Sequence, residues 1–147
     1  MSSDISFFSV APAKIPLDGK DQKYGQWLLA VAEAENKTIC KLTYIFCSDE
    51  YLLDINNKYL GHDFYTDIIT FPYKEGHEIE SDLFISVDRV RENAVEFNVT
   101  FDNELKRVMI HGLLHLMGYG DKSEDQISLM REKEEYYIAK FDLFSPA

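Results

Sequence analysis

Two short strand-like segments follow each other without a helix between them, and this feature constrains the fold most strongly. The segments TDIITFPY (66–73) and DLFISV (82–87) are rich in β-branched and aromatic residues, and a polar loop containing Gly76 separates them. Helical patterns stand on both sides of the pair. A direct connection between two strands excludes a simple repeat of strand–helix–strand units. The sequence therefore predicts an α+β fold.

The other segments complete this prediction. Two more strands are expected at ISFFSV (5–10) and KLTYIFC (41–47). Helices are expected at 21–35, 48–61, 88–98 and 100–118, and a last helix opens with the capping-box pattern Ser123 to Gln126. We expect a single domain over residues 1–147, in which helices pack on a small mixed sheet of about four strands.

Composition restricts the location and the partners of the protein. The chain is 46% hydrophobic over 147 residues, which is enough for one core. No apolar run approaches the roughly 18 residues of a membrane span, and MSSDISFFSV does not have the pattern of a signal peptide. We expect a cytoplasmic protein without a membrane partner. The net charge of −11 argues against a protein that coats nucleic acid, so a nucleic-acid enzyme here would need metal ions or a local positive patch.

The segment HGLLHLMGYGD (111–121) has the spacing of a metal site. His111 and His115 are four residues apart on a predicted helix, so both imidazoles lie on one face. Gly118 stands where the chain must leave the helix, and Asp121 follows three residues later. The pattern matches metzincin spacing, with aspartate in place of the third histidine. The sequence predicts that His111, His115 and Asp121 bind a metal on the C-terminal helix and the following turn.

The segment also has a purely structural interpretation. Two histidines on an apolar helix can be satisfied by backbone carbonyls or solvent, and Gly118 can be an ordinary helix end. The glycine and the carboxylate at the correct offsets favour the metal. Gly112 stands where metalloproteases carry their glutamate base, which argues against peptide hydrolysis. Three protein ligands leave one position open, as in catalytic zinc sites.

These residues resemble the YbeY family of metal-dependent, single-strand endoribonucleases that mature ribosomal RNA. HGLLHLMGYGD follows the family signature HGxLHLxGYDH through Tyr119, and INNKYLGHDFYTDIITFPY (55–73) resembles a second family block. ELKRVMIHG, DLFIS, Met130 and Glu134 also fall where the resemblance places them. The similarity covers the chain from about residue 40 onward.

The resemblance implies a zinc-dependent endoribonuclease that cuts single-stranded RNA but not DNA. It implies a role in maturing the 3′ end of 16S ribosomal RNA and in ribosome quality control, with the small ribosomal subunit as a partner. One Zn²⁺ per chain is expected, and the Asp121 oxygen also admits Mn²⁺ or Fe²⁺. Asp67 is a candidate to orient a ligand or water, or simply hydrogen-bonds at a strand start. Phe64, Tyr65 and Tyr119 either stack on unpaired bases or pack in the core.

Three positions depart from the family pattern. Asp121 replaces the family histidine, Gly120 replaces an aspartate, and Leu60 stands where relatives often carry an arginine. If that arginine contacts phosphate, another cation must replace it here. Lys58, Arg89 and Arg91 are the candidates, although each is equally consistent with a solvated surface residue.

Two other functions are compatible with the same residues. Two histidines and a carboxylate also form the iron site of oxygenases, so a metal-dependent hydrolase or oxygenase of a small molecule is one alternative. The other is a non-enzymatic ribosome-assembly factor in which the metal only stabilises the fold.

Overall fold

The computed structural model describes residues 4–144, which form a four-stranded mixed sheet and five α-helices. The strands are β1 (Ile5–Ser9), β2 (Thr38–Cys47), β3 (Ile68–Lys74) and β4 (Glu78–Ser86). The helices are α1 (Asp21–Ala34), α2 (Asp49–Leu60), α3 (Val87–Glu96), α4 (Phe101–Leu116) and α5 (Glu124–Lys140), followed by a 3-10 turn at Phe141–Leu143. The predicted α+β class is confirmed.

The sheet has the order β1-β2-β4-β3. β1 and β2 are parallel and joined by α1, β2 and β4 are parallel, and only β3 runs antiparallel to β4. The predicted direct connection is therefore the β3–β4 hairpin, with a loop of three residues, 75–77. β4 begins at Glu78, earlier than the predicted residue 82. The prediction was wrong there because Glu78 and Glu80 look like loop residues, whereas they alternate with buried Ile79 and Ser81 on the strand.

Helix α4 lies against one face of the sheet and is the centre of the core. Leu42, Tyr44 and Phe46 of β2 are fully buried on that face. The Tyr44 hydroxyl donates a hydrogen bond of 2.9 Å to the Met109 carbonyl of α4. This contact fixes the height of α4 over the sheet, and therefore the position of the residues that follow Met109.

Gly112 allows α4 to approach the hairpin closely. A Cβ atom at this position would lie 2.7 Å from the Ile68 Cδ1 atom and 2.8 Å from the Leu83 Cδ2 atom. A side chain at residue 112, where metalloproteases carry their glutamate base, would therefore point into the core. Glycine at this position follows from helix–sheet packing.

Helix α2 covers the opposite face of the sheet. Leu52 and Ile55 pack there with Ile69, and with Phe71 and Phe84 at the edge of the cluster. The sheet thus has helices on both faces, although the larger core lies on the side of α4.

The helix ends agree with their sequence signals. The side chains of Ser48, Thr100 and Ser123 cap α2, α4 and α5, and Ser123 forms the predicted capping box with Gln126. Phe97 follows the end of α3 and is 55% exposed. Among the described residues, no helix combines the length and hydropathy of a membrane span.

Candidate metal centre

The two histidines of α4 point at the same space. Their ring centres lie 4.8 Å apart, with an angle of 80° between the ring planes. The Asp121 Oδ2 atom lies 3.1 Å from the Nε2 atom of His115 and 3.5 Å from that of His111. A spacing of four residues on one helix accounts for the first pair, whereas Asp121 depends on the turn that follows.

The turn after α4 needs glycine at one position. Gly118 has a φ of +110°, a backbone conformation that L side chains rarely adopt. The Gly118 N–H donates to the His115 carbonyl at 3.0 Å, and the Tyr119 N–H donates to the Leu114 carbonyl at 3.1 Å. These bonds close the helix end and reverse the chain, which brings Asp121 back to the histidines.

The three side chains form a group that can hold a metal ion. One ligand atom from each of His111, His115 and Asp121 lies within 4.8 Å of the others. Burial would raise the pKa of Asp121, but the hydrogen bond from His115 and the charges of both histidines hold it below its usual value. Two imidazoles and a carboxylate that stays ionised suit a divalent transition metal. The His115 and Asp121 side chains are 37% and 38% exposed, so the group is open to solvent on one side.

Glu134 orients His111, a role that was not predicted from the sequence. Its Oε2 atom lies 2.7 Å from the His111 Nδ1 atom, and its side chain is only 4% exposed. A carboxylate on the second ring nitrogen fixes the ring and leaves Nε2 facing Asp121. The sequence feature that could have identified Glu134 is its place on the buried face of α5, between Met130 and Tyr137.

Arg107 balances the buried carboxylates behind the site. Its guanidinium lies 2.6 Å from Glu104, 3.5 Å from Asp67 and 3.7 Å from Glu134. Asp67 is therefore close to the site but is not one of the three convergent ligands. Burial raises the pKa of Asp67, and the opposing charges of Arg107 and His111 only partly offset this.

A second polar cluster holds the turn from the other side. The Glu35 carboxylate, at the end of α1, accepts hydrogen bonds from the Tyr119 hydroxyl at 2.6 Å, the Lys133 ammonium at 3.0 Å and the Tyr137 hydroxyl. We call these four residues the Glu35 clasp. Tyr119 belongs to the turn after α4 that carries Asp121, which we call the metal turn. The two other donors belong to α5, so the clasp joins α1, α5 and the metal turn.

The cations proposed in place of the family arginine have different surroundings. Arg89 is 2.6 Å from Asp49, and Arg91 is 3.7 Å from Asp88, so both charges are already paired. Lys58 lies 5.9 Å from the ring centre of Tyr59. Lys122 is exposed and directly follows Asp121, and the described residues offer it no ion pair. Lys122 was not among the cations predicted from the sequence to lie beside the site.

The family model described as Endoribonuclease YbeY matches residues 12–142. The chain belongs to the YbeY family. The resemblance seen in the two sequence blocks is thereby confirmed.

Several family members are similar over most of their length. A Flavobacterium johnsoniae protein named Endoribonuclease YbeY is 53% identical over 121 residues, which are 82% of this chain and 87% of the relative. A Christiangramia forsetii protein of the same name is 49% identical over 138 residues, or 94% of each chain. A Thermotoga maritima protein with a known solution structure has a TM-score of 0.63 and 30% identity, covering 93% of this chain and 88% of that chain.

Proposed function

We propose that this protein is a metal-dependent endoribonuclease that cuts single-stranded RNA in the maturation of ribosomal RNA. The observation that carries the proposal is the convergence of His111, His115 and Asp121 at an open site, in a chain of the YbeY family. Neither a small-molecule enzyme nor a non-enzymatic assembly factor is favoured, since the relatives described above are named endoribonucleases.

Zinc is the metal that we propose, at one ion per chain. His111 and His115 would hold it through Nε2 and Asp121 through a carboxylate oxygen. Mn²⁺ and Fe²⁺ are alternatives because the carboxylate is a hard ligand. A bound divalent cation supplies a Lewis acid that lowers the pKa of water and offsets negative charge on the phosphoryl group.

Other side chains around the site orient the ligands, the attacking group and the RNA. Glu134 keeps His111 in the orientation that the metal needs, and Arg107 keeps the carboxylates behind the site compatible with burial. Asp67, with its raised pKa, is the candidate to orient the attacking group or accept its proton. Lys122 is the candidate to contact a phosphate of the RNA strand. It would then replace the arginine that relatives often carry at the position of Leu60.

The cellular setting follows from the family resemblance and is part of the proposal. The RNA is ribosomal, with the 3′ end of 16S RNA as the expected cleavage region and a role in ribosome quality control. The small ribosomal subunit is the expected partner, and the cytoplasm is the expected location. DNA is not an expected substrate.

The test is a cleavage time course on one labelled RNA that contains single- and double-stranded segments. Wild type and His115→Ala would be purified in parallel and assayed with Zn²⁺, Mn²⁺ or EDTA over a range of enzyme concentrations. We expect cuts confined to the single-stranded segments, with none from His115→Ala or in EDTA. Equal activity of the two preparations would indicate a contaminating nuclease. Intact RNA with metal-loaded wild type would contradict the proposal.

A further inference from the structure

We propose that the stacked rings of His62 and Phe64 bind a base of the RNA strand close to the phosphodiester that is cut. The inference rests on the proposed function and adds to it a substrate-binding element. The two ring centres lie 5.0 Å apart with an angle of 18° between the planes, so the rings are almost parallel. Phe64 is 56% exposed, which leaves a large apolar surface in water.

The loop that carries these rings is held in place by one buried residue. Asn56 of α2 is only 2% exposed. Its carbonyl accepts the His62 N–H at 3.1 Å, and its side-chain amide donates to the Phe64 carbonyl at 2.9 Å. The backbone on both sides of Asp63 is therefore fixed. A ligand that stacks on these rings meets a prearranged surface and loses less entropy on binding.

The chain leads directly from the rings to the metal centre. Asp67, three residues after Phe64, contacts Arg107, and the Ile68 side chain packs against α4 at Gly112, next to His111. Three extended residues span about 10 Å at most. Phe64 is therefore at most about 10 Å from Asp67, which lies beside the metal centre. This is roughly three nucleotides at a rise of about 3.4 Å per nucleotide along a stacked strand.

The other aromatic residues considered for stacking already have partners. The Tyr65 hydroxyl donates to Glu50 at 2.7 Å, and the Arg89 guanidinium lies 5.0 Å from the centre of its ring. Tyr119 donates to Glu35 in the clasp. The His62–Phe64 pair combines wide exposure, a fixed backbone and a short connection to the centre.

Stacking also agrees with the charge of the protein. A net charge of −11 disfavours recognition of RNA through many phosphate contacts. A base–aromatic stack requires no positive patch and accepts any base, at about 1–3 kcal/mol per base. It also favours single strands, because the bases of a duplex are already stacked on each other. The pair therefore provides a physical reason for the expected preference for unpaired RNA.

The first arm of the test compares Phe64→Ala with Phe8→Ala. Phe8 is a matched control because it is also 56% exposed but lies on β1, at the other edge of the sheet from β3. With metal-loaded protein and a short single-stranded RNA, we expect Phe64→Ala to raise KM about 5- to 150-fold and to change kcat less than twofold. Phe64→Trp should restore KM, and Phe8→Ala should resemble wild type. Equal KM values for both alanine variants would overturn the inference.

The second arm uses the same RNA with one base removed at a time. At one position, loss of the base should raise the KM of wild type to that of Phe64→Ala. The KM of Phe64→Ala should not change when the same base is removed. Independent effects of the base and of Phe64 would overturn the inference. Fluorescence anisotropy with uncut RNA separates this result from the proposed function: weaker binding by Phe64→Ala without cleavage by wild type would retain the RNA-binding element and reject the nuclease. Equal binding by Phe64→Ala and wild type would reject the element.

Discussion

Glu134 shows how a single buried carboxylate determines the geometry of the metal centre. It holds the Nδ1 atom of His111 at 2.7 Å, while Arg107 offsets its charge at 3.7 Å. The ring therefore has one accessible nitrogen, and that nitrogen faces Asp121. Because Glu134 fixes this orientation, binding an ion requires little rearrangement of His111.

The substitution Glu134→Gln should weaken metal binding without unfolding the protein. The amide keeps the shape of the side chain but loses the charge that orients the imidazole and raises its basicity. We expect the Kd for Zn²⁺ to rise about 10- to 100-fold, measured by competition with a chromophoric chelator. Glu135→Gln, an exposed neighbour on α5, is the control and should not change the Kd. Equal Kd values for Glu134→Gln and wild type would contradict this role.

A second test concerns Gly112 and the close approach of α4 to the sheet. Glu at this position restores the metalloprotease motif, but its Cβ atom overlaps Ile68 and Leu83 and its carboxylate has no buried partner. We expect Gly112→Glu to lower the free energy of unfolding by about 3 kcal/mol or more, measured by urea denaturation. Gly25→Glu is the control, since a Cβ atom there meets no neighbour within 4 Å. A stable Gly112→Glu variant would show that α4 can move away from the sheet.

At the scale of whole elements, the Glu35 clasp connects α1 and α5 to the metal turn. Burial alone would raise the pKa of Glu35, but hydrogen bonds from Tyr119, Tyr137 and Lys133 outweigh burial and hold the pKa below its usual value. A lowered pKa means that the folded state favours the ionised carboxylate. Glu35 therefore stabilises the fold above its unfolded pKa of about 4.3, and this contribution is lost as pH falls through the lower folded value.

The substitution Glu35→Gln should reduce stability and metal affinity together. The amide is a weaker acceptor for two tyrosines and a lysine, so we expect a loss of about 1–2 kcal/mol at pH 7. The difference from wild type should narrow as pH falls below about 4, which urea denaturation at several pH values would measure. The Kd for Zn²⁺ should also rise because the turn that carries Asp121 is less constrained.

Glu33→Gln is the control for the clasp because Glu33 is exposed on the same helix. It should match wild type in both measurements. If Glu35→Gln loses stability but keeps its Zn²⁺ affinity, the clasp supports the fold without positioning the turn.

For the whole molecule, metal binding should stabilise the folded state. The three convergent groups come from a helix and a turn that exist together only after folding, so the ion binds the native state preferentially. At free Zn²⁺ equal to 100 times its Kd, we expect about 2.7 kcal/mol of added stability, seen by calorimetry as a Tm several degrees higher. Asp121→Asn should lose most of this increase. The same increase in that variant would show that the ion binds elsewhere.

Local patterns predicted most of the fold because its helices and strands follow from residues close together in sequence. Runs of β-branched and aromatic residues predicted the four strands, and serine, threonine and glycine at the helix ends predicted where helices begin and stop. The prediction failed at the start of β4, where pairing with β2 draws two glutamates into a strand. That pairing is tertiary, and charged residues alone indicate a loop.

The sequence by itself determined the arrangement of His111, His115 and Asp121, because a helix turn and one glycine turn bring them together within eleven residues. The tertiary structure alone decided what surrounds them. Glu134 reaches His111 across 23 residues, Asp67 reaches Arg107 across 40, and Glu35 reaches Tyr119 across 84. Such contacts depend on how helices pack on the sheet, and no local spacing encodes them. A short motif can therefore specify metal ligands, whereas their orientation and support require the folded chain.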